Sequence, residues 1–146
     1  MAPKAYSCQT RKVSRYTLEP SPSALATLRE FIRTTLRPYR LSESSVADIV
    51  SATHEAAKNA VVHNPESTGP VDVVCEIKDD RVVVEVADRG QGFDLRALSA
   101  SLPDPEAVAG RGYFLMNALM DGVETQSGKG GTRVRMVKAI ARPNPA

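Results

Sequence analysis

The sequence predicts an α+β domain, because strand pairs and amphipathic helices occur together in one chain of 146 residues. Apolar residues alternate with polar ones on both sides of short turns, which predicts antiparallel hairpins in residues 71–86 and 123–136. Apolar residues at three- and four-residue spacing predict amphipathic helices in residues 22–36 and 45–63. The length fits a single domain with its own core.

The composition narrows the class of protein without naming a function. Hydrophobic content of 42% and charged content of 25% are ordinary for a soluble globular protein. A formal net charge of +2 is too small to argue for nucleic acid or an anionic membrane as a partner. The first ten residues lack the apolar segment of a secretion signal, and no apolar run could cross a bilayer, so we expect a cytoplasmic protein.

Cysteine and histidine give no sign of a metal or disulfide site. Cys8 falls in the expected N-terminal tail and Cys75 at an apolar strand position, so neither a disulfide framework nor a thiolate site is expected. His54 and His63 have no cysteine or second histidine at zinc-like spacing. A zinc site is therefore not expected.

The start of the chain predicts a flexible tail in residues 1–10 and then an edge strand in residues 11–17, with Val13 facing inward. Ser21 is a candidate helix cap, with Pro22 in the first turn. The helix that follows should end before Pro38, because proline disfavours helical backbone in the residue before it.

A basic stripe lies on the outer side of this first helix, formed by Arg29, Arg33 and Arg37. We expect a solvated helix face, and the alternative is a docking surface for an acidic partner.

The second helix, residues 45–63, carries an unusual polar stripe. Glu55, Asn59 and His63 recur at four-residue spacing, which places them along one side of a helix. A carboxylate can act as a general base, and one turn away a carboxamide oxygen can bind a hard cation such as Mg²⁺. A solvated helix face is the alternative. Ser45 followed by Asp48 resembles a capping box, which would start the helix there.

Asp88 stands at the end of the first hairpin. The strand parity of the preceding valines predicts that this carboxylate faces inward. A buried carboxylate is costly unless a donor is supplied, so we expect a hydrogen-bond donor at this position.

Residues 88–112 are rich in glycine and proline. The segment DRGQGFD predicts a turn, and residues 99–112 resemble a mobile loop. Helical spacing returns in residues 113–120, which places Gly110 and Gly112 at the N-terminal end of that helix. Free amides and the helix dipole favour a phosphate there.

The order of these features resembles the Bergerat-type ATP-binding fold of gyrase, Hsp90, histidine kinases and MutL. HEAAKNAVVH is similar to the N box, and DRGQG, GRGYFLM and GGTRVRM are similar to the three glycine motifs. The details resemble the small anti-sigma factor serine kinases of the RsbW and SpoIIAB type, over residues 13–138. This resemblance implies a two-layer α/β sandwich with a mostly antiparallel sheet and helices on one face. It also implies an ATP-binding kinase domain in residues 11–140, followed by a tail in residues 141–146.

The resemblance implies an adenine pocket. Asp88 would accept the adenine amino group, Gly90 and Gly92 would let the backbone approach the nucleotide, and Thr132 would contribute directly or through water.

The same resemblance implies Asn59 as the Mg²⁺ ligand and Glu55 as the base for the acceptor hydroxyl. A lid of residues 99–112 would close over the triphosphate, bringing Gly110, Arg111 and Gly112 to the phosphates. Arg111 is either a charge stabiliser or an exposed lid arginine, and His63 would be structural.

The function that the resemblance implies is an ATP- and Mg²⁺-dependent serine kinase that phosphorylates a small antagonist protein and holds a sigma factor inactive. A homodimer is expected, because the sheet leaves an open side or edge to bury. One alternative is a module that binds ATP and sequesters a partner without phosphoryl transfer. Another is transfer to a histidine of a separate acceptor protein.

Overall fold

A five-stranded antiparallel sheet is the frame of the domain in the computed structural model, which describes residues 10–19, 21–62, 69–88, 108–128 and 131–140. Its spatial order is β1-β2-β3-β5-β4. The strands are β1 Thr10–Leu18, β2 Val71–Lys78, β3 Arg81–Ala87, β4 Gly122–Gly128 and β5 Gly131–Ala139. The helices are α1 Ala24–Leu36, α2 Glu43–Val62 and α3 Val108–Leu119, with a short 3₁₀ turn at Arg37–Tyr39. The α+β prediction is confirmed.

The core lies between one face of the sheet and the helices. Burial along β2 alternates residue by residue, as the sequence pattern predicts, and the inward residues include Cys75. That burial raises the pKa of the Cys75 thiol to about 12, so it packs as a small apolar side chain. Helix α1 contributes a fully apolar stripe made of Leu25, Leu28, Ile32 and Leu36. Helix α2 contributes Ile49, Ala52, Thr53, Ala56, Ala57 and Ala60.

The other face of the sheet carries cross-strand polar pairs. Arg133 approaches Glu85 at 3.4 Å and Arg135 approaches Glu124 at 3.7 Å, each between neighbouring strands. Such exposed pairs contribute little to stability. They nevertheless make this face polar.

Val13 does not face inward as the sequence predicted. It is 44% exposed, and Tyr16 points to the helical side instead, where its ring stacks on Phe31 with centroids 5.0 Å apart. Side chains alternate along a strand, so a large aromatic at position 16 assigns residue 13 to the opposite face. Leu18, buried on the side of Tyr16, fixes the same parity.

Helix α2 begins earlier than predicted, and Ser45 is not its cap. The Ser42 hydroxyl accepts the Ser45 amide at 3.1 Å, so Ser42 caps the helix and Ser45 lies within the first turn. Asp48 does not take part in a capping box, because its carboxylate forms a salt bridge of 2.8 Å with Lys138 on β5. Helix α1 begins later than predicted, at Ala24, so Pro22 precedes the helix and Ser21 is not its cap. Both residues belong to a turn in which the Ser21 carbonyl accepts the Ala24 amide.

Helix α3 extends further toward its N-terminus than predicted. It begins at Val108, so residues 108–112 of the expected lid are helical. Gly110 and Gly112 therefore lie within the first turns instead of preceding the helix. Glycine lowers helix propensity by about 1 kcal/mol, which favoured a later start in the sequence. The second half of the helix is held by packing, since Met116 of α3 and Met120 just beyond it are buried in the core. The remainder of the expected lid lies outside the described residues.

Candidate functional site

Glu55 and Asn59 lie one helical turn apart on α2. The Glu55 side chain is 13% exposed, and its Oε1 pairs with Nζ of Lys58 at 3.1 Å. The carboxamide oxygen of Asn59 is buried and has no hydrogen-bond partner within the described part of the chain. A buried acceptor of this kind normally costs free energy unless a ligand satisfies it. His63, the third member of the predicted stripe, lies outside the described residues.

His54 joins α2 to α1 beside Glu55. Arg29 of α1 donates from its guanidinium to Nδ1 of His54 at 3.0 Å, which fixes this nitrogen as the acceptor. Burial lowers the pKa of His54, the Arg29 charge lowers it further, and the carboxylate of Glu55 opposes this shift. His54 is therefore held neutral next to the candidate base.

Asp88 is buried at the end of β3, as its parity predicts, with 8% exposure. Its carboxylate accepts the backbone amide of Thr132 at 3.2 Å, while its own amide donates to the Thr132 carbonyl at 2.9 Å. The backbone N–H of Thr132 is therefore a hydrogen-bond donor of the kind that a buried Asp88 carboxylate was expected to need. This pair holds the Asp88 carboxylate at the point where β3 and β5 meet.

Thr132 is linked in turn to β4, because its hydroxyl lies 3.0 Å from the hydroxyl of Ser127. A cavity of about 250 Å³ opens beside these groups. Its lining residues are Ala87, Asp88, Gln126, Ser127, Gly128, Gly131, Thr132 and Arg133. Acceptors and hydroxyls at the mouth of a cavity suit a heterocyclic base with both donors and acceptors.

The glycines of the predicted site are only partly described. Gly90 and Gly92 lie outside the described residues. Gly110, Arg111 and Gly112 belong to the first turns of α3, and helix α3 packs against α2. Because α3 begins at Val108, the backbone amides without a partner inside the helix are those of residues 108–111.

The contact between Lys138 and Asp48 orients α2 against the sheet. Asp48, on the first half of α2, lies 2.8 Å from Lys138 near the end of β5. Asp88 and Thr132 lie at the opposite end of the strand pair, where the end of β3 meets the start of β5. The second half of α2, which carries Glu55 and Asn59, extends along the helix axis away from the contact with Lys138.

These residues fit a magnesium nucleotide. An amide oxygen is a suitable ligand for Mg²⁺, and the Asn59 oxygen, to which no described residue donates a hydrogen bond, is one. Mg²⁺ commonly takes one or two protein oxygens and completes its shell with phosphates and water. The described residues contain no group of three or more acidic, histidine or cysteine side chains that could hold a metal ion.

Three residues of the site were not predicted from the sequence. Lys58 pairs with Glu55, Arg29 donates to His54, and Ser127 contacts Thr132. The spacing of Glu55 and Lys58 was visible, since residues three apart are neighbours on a helix. Ser127 and Thr132 are paired across the β4–β5 hairpin, so the predicted hairpin also brings these two residues together. The contact between Arg29 and His54 joins two helices and has no signal in local spacing.

Comparison with known proteins identifies the family of this chain. Residues 18–138 match the family described as the histidine kinase-like ATPase domain. The anti-sigma F factor of Clostridium acetobutylicum is 35% identical over 103 residues, covering 66% of this chain and 71% of the relative. The serine-protein kinase RsbW of Bacillus velezensis is 38% identical over 105 residues, covering 65% of each chain.

Two solved structures share the fold. The RsbU and RsbW domains of a Mycobacterium tuberculosis protein superpose with a TM-score of 0.68 at 24% identity, over 92% of this chain. The present chain spans 33% of that longer structure. The mycobacterial sensor histidine kinase MprB superposes with a TM-score of 0.53 at 11% identity, over 90% of this chain and 99% of MprB.

The fold and the match of residues 18–138 to the family model define a histidine kinase-like ATPase domain. The chain belongs to the histidine kinase-like ATPase family, in the group that contains the anti-sigma F factors and the serine-protein kinase RsbW.

Proposed function

We propose that this protein is an ATP-dependent serine kinase that phosphorylates a small antagonist protein and holds a sigma factor inactive. The relatives named anti-sigma F factor and serine-protein kinase RsbW support both halves of this function. The observation that carries the proposal is the buried oxygen of Asn59, which has no hydrogen-bond partner among the described residues and lies one turn from the half-buried carboxylate of Glu55. A cation site beside a candidate base is the arrangement that phosphoryl transfer requires.

The adenine subsite is proposed at Asp88 and Thr132. The Asp88 carboxylate retains acceptor capacity for an amino group, because a carboxylate accepts more than one hydrogen bond. Thr132 would present its hydroxyl, oriented by Ser127, to the same base. Gly90 and Gly92 would let the backbone approach the nucleotide.

The phosphates would lie between α2 and the N-terminal end of α3. There Gly110, Arg111 and Gly112 would meet the triphosphate, and Asn59 would ligate its Mg²⁺ ion. Mg-ATP, when bound, supplies the phosphoryl group that is transferred.

Glu55 would act as the general base. It takes the proton of the acceptor serine hydroxyl while the serine oxygen bonds to the γ-phosphorus and the bond to the ADP oxygen breaks. ADP leaves with the electron pair of that bond. Lys58, which pairs with Glu55, would orient the carboxylate and must yield space to the acceptor hydroxyl.

The remaining assignments follow from this function. Partner binding would occur in the cytoplasm, where sigma factors act, and we propose a homodimer. The described helices include none long and apolar enough to span a bilayer.

The test is label transfer from γ-labelled ATP. The purified protein and its Glu55→Ala variant are incubated with Mg²⁺ and a lysate of the source organism. Acid-stable label on a small protein with the unmodified protein alone is the expected result. If both proteins bind ATP and no protein is labelled, the chain is a module that binds ATP and sequesters a partner without phosphoryl transfer. Acid-labile label would instead indicate a phosphohistidine product.

A further inference from the structure

A second concave surface lies among the helices, apart from the nucleotide cavity. This groove has a volume of about 620 Å³ and is bounded by the end of α1, the 3₁₀ turn and the first half of α2. Its lining residues are Arg33, Leu36, Arg37, Arg40, Leu41, Glu43, Val46, Ala47, Val50 and Ser51. None of them lines the cavity beside Asp88. Along α2, Val50 precedes Asn59 by roughly 13 Å at the helical rise per residue.

The floor of the groove is apolar and firmly supported. Leu36 is 1% exposed and Val50 is 4% exposed, so both belong to the core. Leu41 and Val46 pack against that core but remain half-exposed. The small residues Ala47 and Ser51, one turn apart on α2, are exposed and would let another backbone approach closely.

The rim of the groove is basic. Three of its lining residues are arginines and one, Glu43, is acidic. Arg33 and Arg37 are four residues apart in helical backbone, so their guanidinium groups project at one-turn spacing. Arg33 contacts Glu30 at 2.9 Å but remains 47% exposed, and an exposed pair of this kind exchanges partners at little cost.

Arg40 adds an observation from the backbone. Its φ of 51° and ψ of 43° place it in the left-handed region, and among the described residues it alone does so without being glycine. This conformation costs roughly 1–2 kcal/mol for a residue with a Cβ, and glycine would avoid the cost. Position 40 therefore carries a guanidinium group beside the groove, although glycine at this position would make the fold more stable.

We propose that this groove docks an acidic amphipathic helix of a protein partner. Carboxylates one turn apart on the partner pair with Arg33 and Arg37, a further carboxylate meets Arg40, and the apolar face of the helix covers Leu41 and Val46. Arginine forks match carboxylates in geometry as well as charge. An apolar floor between charged rims is the surface that an amphipathic helix recognises.

This inference goes beyond the proposed kinase function and does not depend on phosphoryl transfer. Because the groove and the nucleotide cavity share no residue, a docked helix and ATP occupy the protein together. The groove thus provides a surface for holding a partner while the transfer site remains open.

The test uses two fluorescein-labelled synthetic peptides of about 15 residues, long enough to form a helix. Both carry leucine on one face, and the flanking positions at four-residue spacing are glutamate in one peptide and glutamine in the other. Fluorescence anisotropy with the unmodified protein should give an affinity about tenfold higher for the glutamate peptide. Saturating ATP should leave that affinity unchanged. Equal affinities, or displacement by ATP, would overturn the proposal.

Variants locate the binding surface. Arg37→Gln and Arg40→Gly should each weaken the glutamate peptide by about threefold or more, and Arg40→Gly should keep or raise the melting temperature because it relieves the left-handed strain. Arg135→Gln, which removes the same charge on the open face of the sheet, is the matched control and should leave binding unchanged. A loss in Arg135→Gln equal to that in Arg37→Gln would show general attraction to a basic protein and would refute a specific groove.

Discussion

Asp88 and Thr132 hold each other by two hydrogen bonds, one from the Asp88 amide to the Thr132 carbonyl and one from the Thr132 amide to the Asp88 carboxylate. The first bond continues the pairing of β3 with β5 beyond the last residue of β3. The second keeps a buried carboxylate at the mouth of the cavity. Strand pairing therefore sets the position of the group that we propose recognises adenine.

Asp88→Asn should weaken ATP binding by about tenfold or more, because a neutral carboxamide is a weaker acceptor than a carboxylate and its amide end repels an amino group. GTP binding should change less, since guanine presents a carbonyl at the corresponding position. Isothermal titration of both nucleotides with both proteins measures the difference. If the unmodified protein binds ATP and GTP equally well, the adenine subsite is wrong.

Asn59→Ala should change the free energy of unfolding by less than about 1 kcal/mol in the absence of ligand, since the oxygen that is removed has no partner among the described residues. The same change should abolish the gain in ATP affinity that Mg²⁺ provides. Urea denaturation and nucleotide titration with and without Mg²⁺ supply the two readouts. A large loss of stability combined with intact Mg²⁺ dependence would assign Asn59 a structural role.

Lys138→Met should destabilise the fold by about 1–3 kcal/mol, because it leaves two acceptors without their donor. The Lys138 ammonium donates to the Asp48 carboxylate at 2.8 Å and to the Leu119 carbonyl at the end of α3 at 2.7 Å. It therefore ties β5 to two helices. Arg135→Met, on the open face, is the control and should change stability by no more than about 0.5 kcal/mol. Equal effects in urea denaturation would contradict the special role of Lys138.

His54 should make the protein less stable in mild acid. Burial and Arg29 lower its pKa below the ordinary value of 6.5, so the unfolded chain takes up a proton that the folded chain refuses. The contribution is complete above pH 6.5 and is lost as the pH falls toward the folded pKa. His54→Gln, which keeps an acceptor for Arg29, should flatten this slope below pH 6.5. An unchanged slope in denaturation experiments would show that other groups cause it.

Glu55→Ala belongs with these predictions as the variant that separates chemistry from binding. Removal of the base should abolish phosphoryl transfer, and ATP affinity should remain within about threefold of the unmodified protein. A loss of ATP affinity as large as the loss of transfer would mean that Glu55 serves the structure of the site. Thermal denaturation of the variant checks that α2 is intact.

The sequence by itself determined most of the secondary-structure elements and the side of each element on which its polar site residues lie. The alternation in β2 and β3 predicts both the hairpin and the inward direction of Asp88, because strand periodicity is a local property. The four-residue spacing of Glu55 and Asn59 predicts a shared helix side for the same reason. Order along the chain then gave the family resemblance, which the comparisons confirm.

Tertiary structure decided the features that depend on partners distant in sequence. Tyr16 faces the helices because its ring stacks on the ring of Phe31, and strand alternation then places Val13 on the opposite face of the sheet. Asp48 pairs with Lys138, ninety residues away, so the capping box at Ser45 does not form. Local spacing carries no record of such contacts, since their energy arises only when separate elements meet.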